Sequence, residues 1–164
     1  MEVITESAEE TKGLGRKIAA DLITDYRLRI TDYARVFALT GDLGSGKTTF
    51  VQGFAEGLGI KTRIISPTFI IVRKYDIPIS HQSSVISHFY HIDLYRLETE
   101  IETEIRNLGV NDVWSIPGNI VVIEWAEKIK NVIPKTATWV RLKTLGEDER
   151  KITIHQSPTT DHLQ

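Results

Sequence analysis

Residues 41–48 read GDLGSGKT, and few stretches of this length restrict a fold so strongly. They satisfy G-x-x-x-x-G-K-[S/T] in full. The apolar run RVFALTG (35–41) leads into them, and Thr48 to Leu58 reads as a helix stopped at Gly59. Strand, glycine-rich loop and helix in that order make a phosphate-binding loop. The glycines let backbone N–H groups curve round phosphate oxygens, Lys47 reaches the β and γ oxygens, and the Thr48 hydroxyl ligates Mg²⁺. The helix that starts near Thr48 adds its positive N-terminal end. The alternative, a glycine-rich hairpin beside an exposed lysine, does not explain the strand before the motif and the helix after it.

Such a loop needs a second carboxylate for the metal, normally at the end of a buried strand beside the loop's own strand. NIVVIEWAEK (119–128) has that form, since Ile120 to Ile123 run unbroken into Glu124 and Trp125. A fully apolar run suits a strand covered on both faces. Glu124 is therefore the expected Mg²⁺ carboxylate, directly or through water. Asp93 in HFYHIDLYRL is its competitor, on a strand whose alternation puts His91, Asp93 and Tyr95 on one face. That strand reads as amphipathic and less deeply covered, so Asp93 is assigned to the same metal shell or to the attacking water. Thr68 in SPTF is a candidate switch residue sensing the γ-phosphate and metal; in the alternative, Ser66 and Thr68 only satisfy a local turn. Trp125 either covers the nucleotide or packs an interface. His81, His88 and His91 lack metal-cluster spacing and read as ordinary polar positions. The acidic residues Glu98, Glu100, Glu102 and Glu104 read as the solvated face of a helix marked by Leu97, Ile101, Ile105 and Leu108 and capped at Gly109.

The rest of the chain is consistent with one α/β domain over 1–156, followed by a tail, 157–164, expected to fray. EVIT reads as a first strand, and Ser7 with Glu10 as a capping box opening a helix from Ala8 to Thr24. RIISPTFIIVRKYDI reads as extended chain interrupted at Pro67, 78–87 as a polar loop or hairpin tip, and 137–156 as a closing hairpin turning near Gly146 to Glu149. The connection between 64–75 and 88–95 is too short for a crossover helix, which requires antiparallel pairing there. The sheet is thus mixed. Cysteine is absent, which removes disulfides and thiolate chemistry and suits a reducing cytoplasm. The net charge of -2 gives no field for gripping a nucleic-acid backbone. The N-terminus is acidic without a long apolar core, so neither a signal peptide nor a membrane anchor is expected. The segment after IEW lacks the N-K-x-D element of guanine recognition, which favours ATP. The loop from Lys128 to Pro134 is a candidate border for the adenine. Arg141 and Arg150 lie in the closing hairpin rather than in an obvious lid, which weighs against a small-molecule kinase.

GDLGSGKTTF, SPTF, HIDLYRL, NLGV and IEW occur in the order and spacing of the TsaE family, and SAEETKGLGRKIA resembles that family's first helix. The resemblance covers most of the chain, with Ser45 standing where alanine is usual. These are small P-loop ATPases of bacterial tRNA threonylcarbamoyladenosine synthesis. The resemblance implies a three-layer α/β P-loop domain with a mixed parallel and antiparallel sheet. It also implies slow Mg²⁺-dependent ATP hydrolysis, and work with the TsaD and TsaB proteins that modify the adenosine beside the anticodon. tRNA would be met only through that complex. The nucleotide would lie on Gly41, Asp42, Leu43, Gly44, Ser45, Gly46, Lys47, Thr48 and Thr49, with Trp125 near it, and Thr68, Asp93 and Glu124 would serve metal and catalysis. A free-standing small-molecule kinase and a non-hydrolysing ATP-dependent scaffold are the competing readings.

Overall fold

A strand that is apolar at every position has no face to offer water, so helices must cover both sides of the sheet that holds it. The computed structural model, which describes residues 1–24, 32–78 and 88–156, has that arrangement. In chain order the elements are β1 (Glu2–Thr5), α1 (Ala8–Thr24), β2 (Arg35–Thr40), α2 (Lys47–Gly57), β3 (Val72–Asp76) and β4 (His88–Asp93). They continue with α3 (Ile101–Asn107), the short α4 (Val110–Val113), β5 (Asn119–Glu124), a single 3₁₀ turn (Ala126–Ile129), β6 (Thr138–Thr144) and β7 (Arg150–Gln156). The sheet order is β1-β7-β6-β2-β5-β4-β3. The pairs β6–β2, β2–β5 and β5–β4 are parallel, while β1–β7, β7–β6 and β4–β3 are antiparallel. The mixed sheet and the antiparallel β3–β4 pair match the sequence expectation.

Side chains divide by strand alternation into two cores. Phe37, Leu39, Phe89, Val122 and Val140 face α1 and α2. Val36, Ala38, Ile92, Val121 and Ile123 face Ile105, Val110, Trp114 and Ile129 on the other side. All six residues of β5 are buried, as the unbroken apolar run requires. Helix α1 lies close on α2 because glycines stand at the contact: an added Cβ on Gly53 would lie 1.8 Å from the Lys12 carbonyl oxygen. The capping box forms with a shift of one residue. The Glu10 N–H donates to Ser7 Oγ at 3.1 Å, but the Glu10 carboxylate accepts from the Glu6 N–H at 2.8 Å rather than from Ser7. Gly59 ends α2 as expected, with φ 78°.

Two expected elements are shorter than the sequence suggests. Of the extended stretch at 64–75, only the end pairs as β3. Residues 67–71 turn instead, with the N–H groups of Ile70 and Ile71 both donating to Pro67 O at 2.8 and 2.6 Å. The amphipathic helix expected from Leu97 forms only from Ile101. The break is at Glu100, whose φ of 54° lies in the left-handed region, and the Lys128 ammonium holds the segment ahead of it by the carbonyls of Leu94, Tyr95 and Leu97 at 3.0, 2.7 and 2.8 Å. The four glutamates at 98, 100, 102 and 104 are exposed, two of them ahead of the helix. His81 with most of the polar loop at 78–87, and the tail at 157–164, lie outside the described residues.

Candidate nucleotide-binding site

β2 delivers the chain into the glycine-rich loop in mid-sheet, and α2 leaves it at Lys47. All three loop glycines have backbone conformations that disfavour a side chain: Gly41 has φ 142°, Gly44 φ 78° and Gly46 φ 97°. Lys47 is only 4% exposed. Its ammonium donates to the carbonyls of Gly41 and Asp42 at 2.6 and 2.9 Å and stands 3.9 Å from the centroid of the Trp125 ring. Burial pushes its pKa below the ordinary lysine value, opposed by the charges of Glu124, Glu127, Asp93 and Asp42. A cation held among four acids in a cleft suits a polyanionic ligand that arrives with its own metal.

Glu124 reaches this loop because β5 is the parallel neighbour of β2, with Leu39 opposite Glu124. The Thr48 hydroxyl lies 2.9 Å from Glu124 Oε2 and 3.1 Å from Oε1. The second partner of Oε1 is His91 Nε2, at 2.8 Å. Glu124 is 2% exposed and His91 fully buried. Asp93 sits beside Glu124, opposite it in the β4–β5 register. It is buried too, which corrects the expectation of a shallower strand: β3 continues the sheet beyond β4, and both faces are covered. Asp93 Oδ2 accepts from the hydroxyls of Ser66 and Thr68, the latter at 2.7 Å. Its Oδ1 accepts from the Tyr95 N–H at 2.9 Å. The strand ends at Asp93, so Tyr95 belongs to the following turn and stacks obliquely on Trp125, with centroids 5.2 Å apart.

These groups line a cavity of about 390 Å³ between Gly44, Lys47, Thr48, Thr68, Asp93 and Trp125. Leu43, Gly46, Thr49 and Glu124 border it as well. A larger cleft of about 680 Å³ runs along Lys12, Gln52 and Glu56. We place the candidate site in the smaller one because only there do a buried cation, a helix N-terminus and two buried carboxylates converge. The oxygen donors of Thr48, Glu124 and Asp93 suit Mg²⁺. Among the described residues no three His, Asp or Glu side chains enclose a metal on their own. A Mg²⁺ ion here would therefore complete its shell with phosphate oxygens and water, as that ion commonly does.

Residues 5–152 match the family model described as "Threonylcarbamoyl adenosine biosynthesis protein TsaE". The chain belongs to the TsaE family. Among its relatives, the protein named tRNA threonylcarbamoyladenosine biosynthesis protein TsaE of Bacillus subtilis (strain 168) is 37% identical over 150 residues, covering 92% of this chain and 82% of that protein. The protein of the same name from Rickettsia bellii (strain RML369-C) is 37% identical over 156 residues and 93% of either chain. The crystal structure of YdiB from Bacillus subtilis superposes with a TM-score of 0.70 at 32% identity, over 96% of this chain and 85% of that one. The α/β fold with its mixed sheet is thus the TsaE fold. Among the described residues, no helix is long and apolar enough to cross a membrane.

Against this TsaE-family background, the sequence reading placed Lys47, Thr48, Thr68, Asp93, Glu124 and Trp125 in one neighbourhood, and the fold brings all six to one cavity. Gly41 and Asp42 contribute by holding Lys47. Ser45 is buried beneath the loop, 1% exposed. Two residues do more than their sequence context implies. His91 is no ordinary polar position, since it pairs with Glu124 inside the core. The signal was available in the alternation of HIDLYRL, which sets His91 and Asp93 on one face. Ser66 does more than satisfy a local turn, since its hydroxyl donates to Asp93 Oδ2. Nothing in sequence spacing pairs those two.

Proposed function

We propose that this TsaE-family chain binds ATP with Mg²⁺, hydrolyses it slowly, and serves tRNA threonylcarbamoyladenosine synthesis beside the anticodon as an accessory subunit to TsaB and TsaD. The observation that carries the reading is the contact of Thr48 with Glu124 at the head of the glycine-rich loop, 2.9 Å at its shortest, with Lys47 buried beside it. The loop N–H groups and the α2 N-terminus hold the phosphates, and Lys47 exchanges its carbonyl partners for phosphate oxygens. Mg²⁺ bound there would supply charge stabilisation to the phosphates. Thr48 and Glu124 hold the metal in this assignment. Asp93, tied through Ser66 and Thr68 to the loop ahead of β3, orients the attacking water or joins the metal's outer shell. A change in the partners of Asp93 would then move Thr68 and the adjacent surface, which is a route from the nucleotide to a docked protein.

Arg150 argues against the kinase alternative. Its guanidinium donates to the carbonyls of Gly146, Glu147 and Glu149 and, at 3.3 Å, to Gly44 O. It is a clamp for the hairpin turn and the loop, not a free arginine for a second substrate. The deciding experiment is phosphate release from Mg·ATP by the pure protein, alone and with TsaB and TsaD, beside Asp93→Ala and Glu124→Ala. Slow release, stimulated by the pair and reduced by about a hundredfold or more in both variants, is expected. ATP binding without any release would replace this reading with the scaffold, and transfer to an acceptor without partners would replace it with the kinase.

A further inference from the structure

We infer that His91 is a positioning residue for Glu124, fixing Oε1 so that Oε2 is the oxygen offered to Thr48 and to the cation. The inference rests on the ATP and Mg²⁺ reading above and deepens it. His91 lies on the central strand β4, opposite Val122 in the register, one alternation back from the Asp93–Glu124 pair. Its ring therefore shares a face with Phe89 and Val122 and is enclosed with no exposure at all. Nε2 stands 2.8 Å from Glu124 Oε1. Nδ1 has no hydrogen-bond partner among the described residues.

That asymmetry assigns the proton. A hydrogen on Nδ1 would be a buried donor without an acceptor, whereas a hydrogen on Nε2 is donated to a carboxylate. The imidazole has few torsions, and the core around it holds them. Among the described residues Glu124 is otherwise gripped only by Thr48, whose single hydroxyl hydrogen lies within reach of both carboxylate oxygens. A Thr48 hydroxyl that ligated a metal through its oxygen would keep one hydrogen able to go to either carboxylate oxygen, and His91 is the contact that would keep Glu124 from rotating. Stability alone does not explain such a pair, because apolar replacements of buried polar pairs are often neutral or stabilising. Orientation of a metal carboxylate does explain it. Outer partners of metal ligands commonly act in this way.

The test has one measurement on the nucleotide-free protein and one on ligand binding. Long-range ¹H–¹⁵N NMR of the imidazole should show His91 protonated on Nε2 and bare on Nδ1. Free Mg²⁺ is then titrated against ATP binding for the wild type, His91→Gln and His91→Phe, with ATP affinity also measured in EDTA. The Gln amide keeps a donor near the Nε2 position; Phe keeps the ring volume alone. The Mg²⁺ half-saturation should rise about tenfold or more in His91→Phe and return most of the way in His91→Gln, while affinity in EDTA stays within about twofold. An Nδ1-protonated ring, or a His91→Phe protein with wild-type Mg²⁺ dependence, overturns the inference while leaving the ATP reading intact. A wild-type protein that binds no ATP overturns both. If His91→Phe does not fold, the tautomer and the His91→Gln titration decide. An unchanged Gln variant with the Nε2–H tautomer supports the role, and a Gln variant that loses ATP affinity equally with and without Mg²⁺ contradicts it.

Discussion

The ammonium of Lys47 faces the ring of Trp125 at 3.9 Å while two of its protons go to main-chain carbonyls of its own loop. The cation that the glycine-rich loop offers to phosphates is thus committed to a resting position. A desolvated cation–π contact is worth about 2 kcal/mol, and the two carbonyl bonds add to it, so leaving that position has a cost that phosphate oxygens must exceed.

Trp125 emission should therefore report nucleotide. Mg·ATP is expected to change the fluorescence of the wild type, and the change should vanish in Trp125→Phe although calorimetry still detects binding. Lys47→Ala should weaken binding by about a hundredfold or more, since it removes a charge-assisted contact to phosphate. An emission change that survives Trp125→Phe would place the reporter at Trp114 or Trp139 and separate Lys47 from the Trp125 ring.

The α1–α2 contact gives a second prediction, with an internal control. Gly53 has no room for a methyl group, because its Cβ would meet the Lys12 carbonyl at 1.8 Å, whereas a Cβ on Gly13 meets nothing within 4 Å. Gly53→Ala should lower stability by about 1–3 kcal/mol despite alanine's better helix propensity. Gly13→Ala, in α1, should raise it by about 0.5–1 kcal/mol. Thermal melts distinguish the signs, at about 2–4 °C per kcal/mol for a chain of this size. Equal behaviour of the two variants would mean that the helices slide apart at little cost.

How much of this was legible beforehand depends on the range of the interaction. Local chemistry was: the loop motif fixed β2, α2 and Lys47, and the unbroken run before Glu124 fixed a buried strand. Register was legible only in kind. Antiparallel pairing of β3 with β4 followed from a short connection, but nothing in the spacing set Asp93 opposite Glu124. Contacts from remote segments were not legible. Lys128 holds the carbonyls of Leu94 and Leu97 where the expected helix would begin, and periodicity carries no trace of a lysine arriving from beyond β5. His91 fell between these cases. Its face was readable, and its burial depended on β3 extending the sheet.

Ser45 is where the TsaE-like pattern has alanine, and the fold supplies no compensation. Its side chain is buried, 1% exposed, and Oγ finds no hydrogen-bond partner among the described residues. A buried hydroxyl without a partner costs free energy that a methyl group does not. Ser45→Ala should therefore be neutral or raise stability by up to about 1 kcal/mol, with ATP affinity unchanged. Denaturant melts give the sign. A loss of more than about 1 kcal/mol would show that the hydroxyl makes a bond the fold depends on.

Glu56 on α2 makes the acid limb of stability predictable. Its carboxylate lies 2.5 Å from Lys12 Nζ and 2.7 Å from Arg16 Nη2, both on α1. Hydrogen bonds from Lys12, then from Arg16, hold its pKa below the ordinary carboxylate value of 4.5. In the unfolded chain Glu56 takes up its proton first as pH falls, so the fold carries fewer protons and loses stability in that window. The contribution is complete above the unfolded value and disappears as pH falls through the lowered folded value. Glu56 is 40% exposed at the side chain, so screening keeps the effect under about 1 kcal/mol. Glu56→Gln should lower stability slightly at neutral pH and flatten its decline on acidification, with the difference from wild type shrinking in high salt. Parallel acid limbs for the two proteins would remove the ion pairs from the interhelical attachment.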